Sequence, residues 1–182
     1  MKSILLSIKP KYVELIASGQ KTIEVRKTAP KEVPFKAYIY CTKEKKQDDI
    51  IWAGIFGDRG KWNGRVIGEF ICNNASELDY VYYWNNGYEF ATCLTYSQVA
   101  DYGKGKTLYG WHISDLKIYD KPRELSEFKK TKERIARTCG MQARNGLCCA
   151  IDHEELCDNI KCCFKTPCPP QSWCYVEELQ EK

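Results

Sequence analysis

Pro10 and Gly19 constrain the opening of this chain more than any other pair of residues. Pro is tolerated at the first position of a helix, and Gly is the usual residue just past its end. PKYVELIASG (10–19) therefore reads as a short helix, with Val13, Ile16 and Tyr12 on its apolar side. The flanking runs are too short and too rich in β-branched residues for helices. SILLSI (3–8) reads as a buried strand bounded by Pro10. KTIEVRK alternates with period two: Ile23 and Val25 face one way, Thr22, Glu24 and Arg26 the other. FKAYIYCTK (35–43) and GRVIGEFICN (64–73) are further strands, the second apolar on both faces as in a barrel wall. LTYSQVADYG (94–103) predicts a short helix ending at Gly103, and LYGWHISDLKIYD (108–120) a last long strand. KPRELSEFKKTKERIAR (121–137) predicts a basic helix opened by Pro122. The order is β-α-β-β, a long polar connection over 43–63, then β, helix and β. Strands dominate without the βαβ alternation of a doubly wound sheet. That predicts an α+β fold built on a small mixed barrel or curled sheet.

The chain has 182 residues, 43% hydrophobic and 13% aromatic, enough to bury a core. No apolar run approaches the roughly 18 residues of a membrane helix. MKSILLSIKPK lacks the apolar length and cleavage site of a signal peptide. The expectation is a cytoplasmic protein with no membrane partner. The net charge of +4 hides blocks. Residues 1–46 hold eleven Lys/Arg against four Asp/Glu, and residues 121–138 seven against three, whereas 47–120 and 139–182 are net acidic. Such separation suits one basic face for a polyanion, or a Lys-rich solvated surface.

GQKTIEVRK (19–27) concentrates that charge. Side chains two apart on a strand are neighbours, so Glu24 and Arg26 can pair or jointly face a ligand, with Lys21 at the strand entrance. Two cations around a carboxylate suit a phosphate or base edge, or acid–base chemistry. The same charges also suit an exposed edge strand protected from aggregation. In DRGKWNGR (58–65), Arg59, Lys61 and Arg65 flank Trp62. Cations beside an aromatic suit single-stranded nucleic acid, phosphates on the cations and a base on the ring. Alternatively, Trp62 folds back over the barrel end. Lys9 and Lys11, at the start of the first helix, extend the face of Lys21 and Arg26. Glu69 lies between Ile67 and Ile71, either inward-facing or at a rim, and His112 takes a hydrogen-bonded structural role. No phosphate loop, dinucleotide fingerprint, zinc-protease or serine-hydrolase motif occurs.

LSIKPKYVELIASGQKTIEVRK (6–27) resembles the opening of an ASCH domain, the activating-signal-cointegrator homology module of the PUA-like superfamily. The hallmark G-x-K-T-x-E-x-R is matched by Gly19, Lys21, Thr22, Glu24 and Arg26. GRVIGEF (64–70), YGWHI (109–113) and PPQSWCYVEE (169–178) extend the likeness, which covers residues 1–120 and resumes at 169–178. The resemblance implies a PUA-like β-barrel with helices at its side. It also implies a cleft, lined by the first helix and the following strand, that takes RNA, another single-stranded nucleic acid or a nucleotide-like ligand. On that reading Lys9, Lys21, Arg26, Arg59, Lys61 and Trp62 contact nucleic acid, in RNA metabolism or transcription coactivation. Members occur in phage and prophage genomes. Two branches are similar to enzymes, one cleaving RNA and one hydrolysing acylated cytidine nucleosides. In the second, the lysine corresponds to Lys21, but a nucleophilic Thr stands where this chain has Glu24. A carboxylate does not replace that hydroxyl, so the catalytic alternative rests on Lys21 and Glu24 as an acid–base pair.

Eight of the eleven cysteines fall in residues 139–182, while Cys41, Cys72 and Cys93 read as scattered core thiols. The spacing C-x8-CC-x7-C-x4-CC-x4-C-x5-C includes His153 but lacks the C-x2-C knuckles of zinc ribbons. Zinc on four of Cys139, Cys148, Cys149, His153, Cys157, Cys162, Cys163 and Cys168 fits, as do disulfides and free thiols. A cytoplasmic chain rarely keeps disulfides. Cys174 packs on the barrel with Trp173 and Tyr175. The expected organisation is an ASCH-like barrel over 1–120, a basic helix plus Cys-rich insertion over 121–168, and a closing segment over 169–182.

Overall fold

The structure, a computed structural model, describes residues 1–43, 59–79, 83, 87–131 and 169–179. The apolar run at the start forms β1 (Lys2–Ile8), and its composition follows from where the strand lies. Both faces of β1 are covered. Ile4, Leu6 and Ile8 enter the main core with Val13 and Ile16 of α1 (Pro10–Ala17). Leu5 points the other way, into a second cluster with Tyr38, Tyr40 and Val66. β3 (Phe35–Cys41) pairs with β1 in parallel, which the intervening helix and strand allow. With β4 (Val66–Cys72), β7 (Ser114–Arg123) and β8 (Trp173–Val176) they make a five-stranded sheet in the order β7-β4-β3-β1-β8.

A second, three-stranded sheet is ordered β2-β6-β5, from β2 (Ile23–Arg26), β5 (Ala75–Glu77) and β6 (Tyr109–His112). Trp111 of β6 joins the main core and meets Phe35 and Trp173 edge-on, with centroids 5.2 and 5.8 Å away. The short helices α2 (Arg59–Trp62), α3 (Tyr88–Thr92) and α4 (Tyr96–Gly103) complete the described elements. A reciprocal Thr95–Gln98 capping box starts α4.

Three expectations change. The described strands form two sheets, with no closed barrel among them. The long strand over 108–120 is two strands in different sheets, and the chain crosses between them at Ile113, whose N–H reaches the Thr22 carbonyl at 2.9 Å. The helix expected from Lys121 does not start there. β7 runs on to Arg123, a 3₁₀ turn covers Leu125–Glu127, and Lys130 bridges Val176. Pro122 fits this because β7 is an edge strand whose pairing with β4 is irregular between Ile118 and Arg123, the setting in which strands tolerate proline. Residues 132–137 of that stretch lie outside the described residues. Glu69 is half-buried at a rim, accepting a 2.6 Å hydrogen bond from the Tyr119 hydroxyl.

Gly68 allows β4 and β7 to approach, since a Cβ there would fall on the Lys117 carbonyl oxygen. Backbone in a paired strand cannot step aside, so Gly68→Ala is expected to cost about 1–3 kcal/mol, measured by urea denaturation.

Candidate functional site

Gly19 takes φ +76°, and this left-handed step after α1 turns the chain back beneath its own helix. The Lys21 N–H then reaches the Leu15 carbonyl at 2.8 Å, which sends the Lys21 side chain inward instead of over a rim. β2 starts only at Ile23. Thr22, expected on the same face as Glu24 and Arg26, is exposed. Glu24 and Arg26 do share a face, and that face is buried. Lys21, Glu24 and Arg26 are 2%, 5% and 8% exposed, which overturns the solvated edge-strand alternative.

The three charged heads converge. Glu24 Oε1 lies 2.9 Å from Arg26 Nη2, and Oε2 lies 3.4 Å from Lys21 Nζ. Lys21 Nζ donates to the Thr92 carbonyl at 2.5 Å and sits 5.4 Å from the Tyr12 ring centroid. Arg26 Nη2 donates to the Ser7 carbonyl at 2.7 Å, and Nη1 reaches Ser172 Oγ at 3.5 Å. Burial pushes the Lys21 amine below its ordinary pKa, while the Glu24 carboxylate works against that shift.

This cluster forms the floor of a cleft of about 890 Å³. Its walls come from the end of β1, the start of α1, α4 and the segment Pro169–Ser172 before β8. That segment is tied down by the Ser7 N–H and hydroxyl, which donate to the Ser172 and Pro170 carbonyls at 2.9 and 2.6 Å. Among the described residues, four cationic side chains line the cleft (Lys9, Lys21, Arg26, Lys43) against two acidic ones, Glu24 and Glu124. Lys9 and Lys43 are exposed at its rim. Tyr12 and Tyr102 supply aromatic surface. Burial pushes the Tyr102 hydroxyl pKa up, and the neighbouring Arg26 pulls it partly back.

Of the residues singled out in the sequence, Lys9, Lys21, Glu24 and Arg26 meet in this cleft. Lys61 is exposed and Trp62 packs half-buried against the main core; neither is among the described residues lining the cleft. The Arg59 side chain lies outside the described residues, as do all eight expected zinc ligands from Cys139 to Cys168. Among the described residues no group of three or more His, Cys, Asp or Glu could hold a metal ion. Cys41, Cys72 and Cys174 are buried, and burial pushes the Cys72 thiol up to about 11. The sequence reading missed Lys43, Tyr102, Gln98, Ser7 and Ser172. For Gln98 and Tyr102 a signal existed: four apart on α4, they fall on one side of the helix.

A small two-sheet α+β domain with a buried Lys–Glu–Arg cluster at the floor of a cleft is thus the class defined here. The ASCH domain model matches residues 6–112, and the chain belongs to the ASCH domain family. The crystal structure of an ASCH protein from Zymomonas mobilis is similar in fold, with TM-score 0.57 and 19% identity, covering 97% of this chain and 89% of that one. Two single-residue variants of that protein align alike, at TM-scores 0.56 and 0.57 and identities of 17% and 18%. Their coverage is 98% and 97% of this chain against 92% and 89% of theirs. No curated protein matches. No helix among the described residues is long and apolar enough to cross a membrane.

Proposed function

We propose that the cleft binds single-stranded RNA, one nucleotide at a time, in cytoplasmic RNA metabolism or transcription regulation. The convergence of Lys21, Glu24 and Arg26 at its floor carries this reading. Its size is that of a small-ligand site, typically about 300–1,000 Å³. Lys21 and Arg26 are already held by Glu24 and by backbone carbonyls, so they act as a fixed polar floor reading a base edge. The Glu24 carboxylate accepts from base N–H groups there. Tyr12 and Tyr102 give the base a stacking surface, worth about 1–3 kcal/mol per base. Exposed Lys9 and Lys43 take the flanking phosphates, and Lys61, three residues before the cleft-lining Gly64, extends that path.

Titration of a labelled RNA oligonucleotide across salt concentrations tests the reading. For single strands the slope of log K against log salt is about −0.7 per neutralised phosphate, so Lys9→Ala with Lys43→Ala should flatten it by about 1.4. An unaltered slope and affinity would remove both lysines from the interface.

One observation favours a second reading, a hydrolase of RNA or acylated cytidine. An amine of lowered pKa 3.4 Å from a carboxylate is an arrangement suited to proton transfer. Product formed from labelled RNA or acylated cytidine by the wild type, and absent with Lys21→Met, would establish it; no product at all leaves a binder.

A further inference from the structure

Lys21 owes its place to a carbonyl that lies far away in sequence, and that carbonyl is itself held. The Thr92 oxygen accepting the Lys21 ammonium belongs to the last residue of α3, at the turn that Cys93 makes with φ +51°. A non-glycine residue in this left-handed region is strained and needs its surroundings to keep it there. The turn is fixed from one side by Tyr83. Its hydroxyl meets Thr92 Oγ1 at 2.5 Å and donates to the Leu94 carbonyl at 3.1 Å, while the Leu94 N–H reaches Thr92 Oγ1 at 3.3 Å. The Thr22 N–H bonds to the Ala91 carbonyl at 2.8 Å, joining the same turn to the entrance of β2. Thr92 and Tyr83 are both fully buried, and neither is among the residues lining the cleft.

We infer that Tyr83 and Thr92 are positioning residues, which aim the Thr92 carbonyl at Lys21 and so fix the ammonium at the cleft floor. A phenol is an expensive group to bury unless its hydroxyl is satisfied. Here it is spent on a turn whose Thr92 carbonyl holds the buried lysine. A purely packing role would be served by phenylalanine, since the Tyr83 ring already meets Tyr88 and Tyr96 at 5.9 and 6.5 Å.

Tyr83→Phe keeps the ring and deletes the hydroxyl. A buried ammonium donating to a carbonyl exchanges slowly, so Lys21 should give a resolved ¹⁵N–H₃⁺ correlation in NMR at pH 6, assigned by its absence in Lys21→Met. In Tyr83→Phe this signal is expected to broaden or move, whereas Tyr96→Phe, at a partly exposed neighbour, leaves it in place. If Tyr83→Phe does not fold, Thr92→Val removes the same hydroxyl contact and Thr92→Ser should restore the signal. An unchanged Lys21 signal in either folded variant overturns the inference. RNA affinity is a separate arm, resting on the function proposed above: a loss of about tenfold is expected, the scale of one hydrogen bond. A lost signal with unchanged affinity upholds the positioning role and counts against the RNA reading.

Discussion

Glu24→Gln is expected to lower the unfolding free energy by about 3–5 kcal/mol, the cost of leaving buried charge without its partner. Glu24 stands between two cations, within 3.4 Å of Lys21 and 2.9 Å of Arg26, and all three side chains are nearly inaccessible to water. Glutamine is close to isosteric and still offers an oxygen, so sterics contribute little. What changes is the charge left inside, from one excess positive charge to two. Removing an exposed pair makes the contrast. Lys2 and Glu32 lie 2.8 Å apart with both side chains more than half exposed, and Glu32→Gln should cost no more than about 1 kcal/mol. Urea denaturation of both variants measures the difference. Equal small losses would mean that water reaches Glu24 and that the floor of the cleft is not a buried charge cluster.

Much of this arrangement is legible in the chain, because local rules set it. The eight-residue helix between Pro10 and Gly19 and the strands around it follow from Pro, Gly and β-branched residues at short range. The hallmark segment marked Lys21, Glu24 and Arg26 for the same reason. Its burial was not legible: period-two alternation gives the side of a strand, not whether another layer covers that side. The cover comes from α4 and from Pro169–Ser172, far along the chain. Pro122 misled because the same missing N–H that opens a helix is harmless on an edge strand, and edge position is a property of the assembled sheet. Tyr83 and Thr92 were invisible for a related reason. Their contact with Lys21 runs through a backbone carbonyl, which any residue at position 92 would carry, and only the turn geometry makes it matter.

Lys21→Met separates stability from function. The buried cluster carries two positive charges and one negative, so removing the lysine leaves a matched Glu24–Arg26 pair. The Thr92 carbonyl loses its donor, at a cost of about 1–3 kcal/mol for an unsatisfied buried group. Against that, the desolvation of an ammonium is removed, and a methionine of similar length still packs against Tyr12. Near-cancellation is expected, leaving stability at neutral pH within about 1.5 kcal/mol of wild type. The pH dependence then has a definite sign. Burial sets the folded-state pKa of Lys21 below its ordinary value of 10.5. Between those two values the unfolded chain holds the proton and the folded chain has released it, so wild-type stability rises with pH through that window. Below the window both forms are protonated and the cost of burying the charge is felt in full. Lacking the amine, Lys21→Met should lose ground to the wild type as pH climbs toward 10.5. RNA affinity at neutral pH should nonetheless fall by about 10- to 100-fold, the range of a hydrogen bond involving a charged group. Denaturation at several pH values and the oligonucleotide titration measure the two halves independently. A variant that melts far below wild type, or one that binds RNA as tightly, would show that the lysine is kept for the fold and not for the ligand.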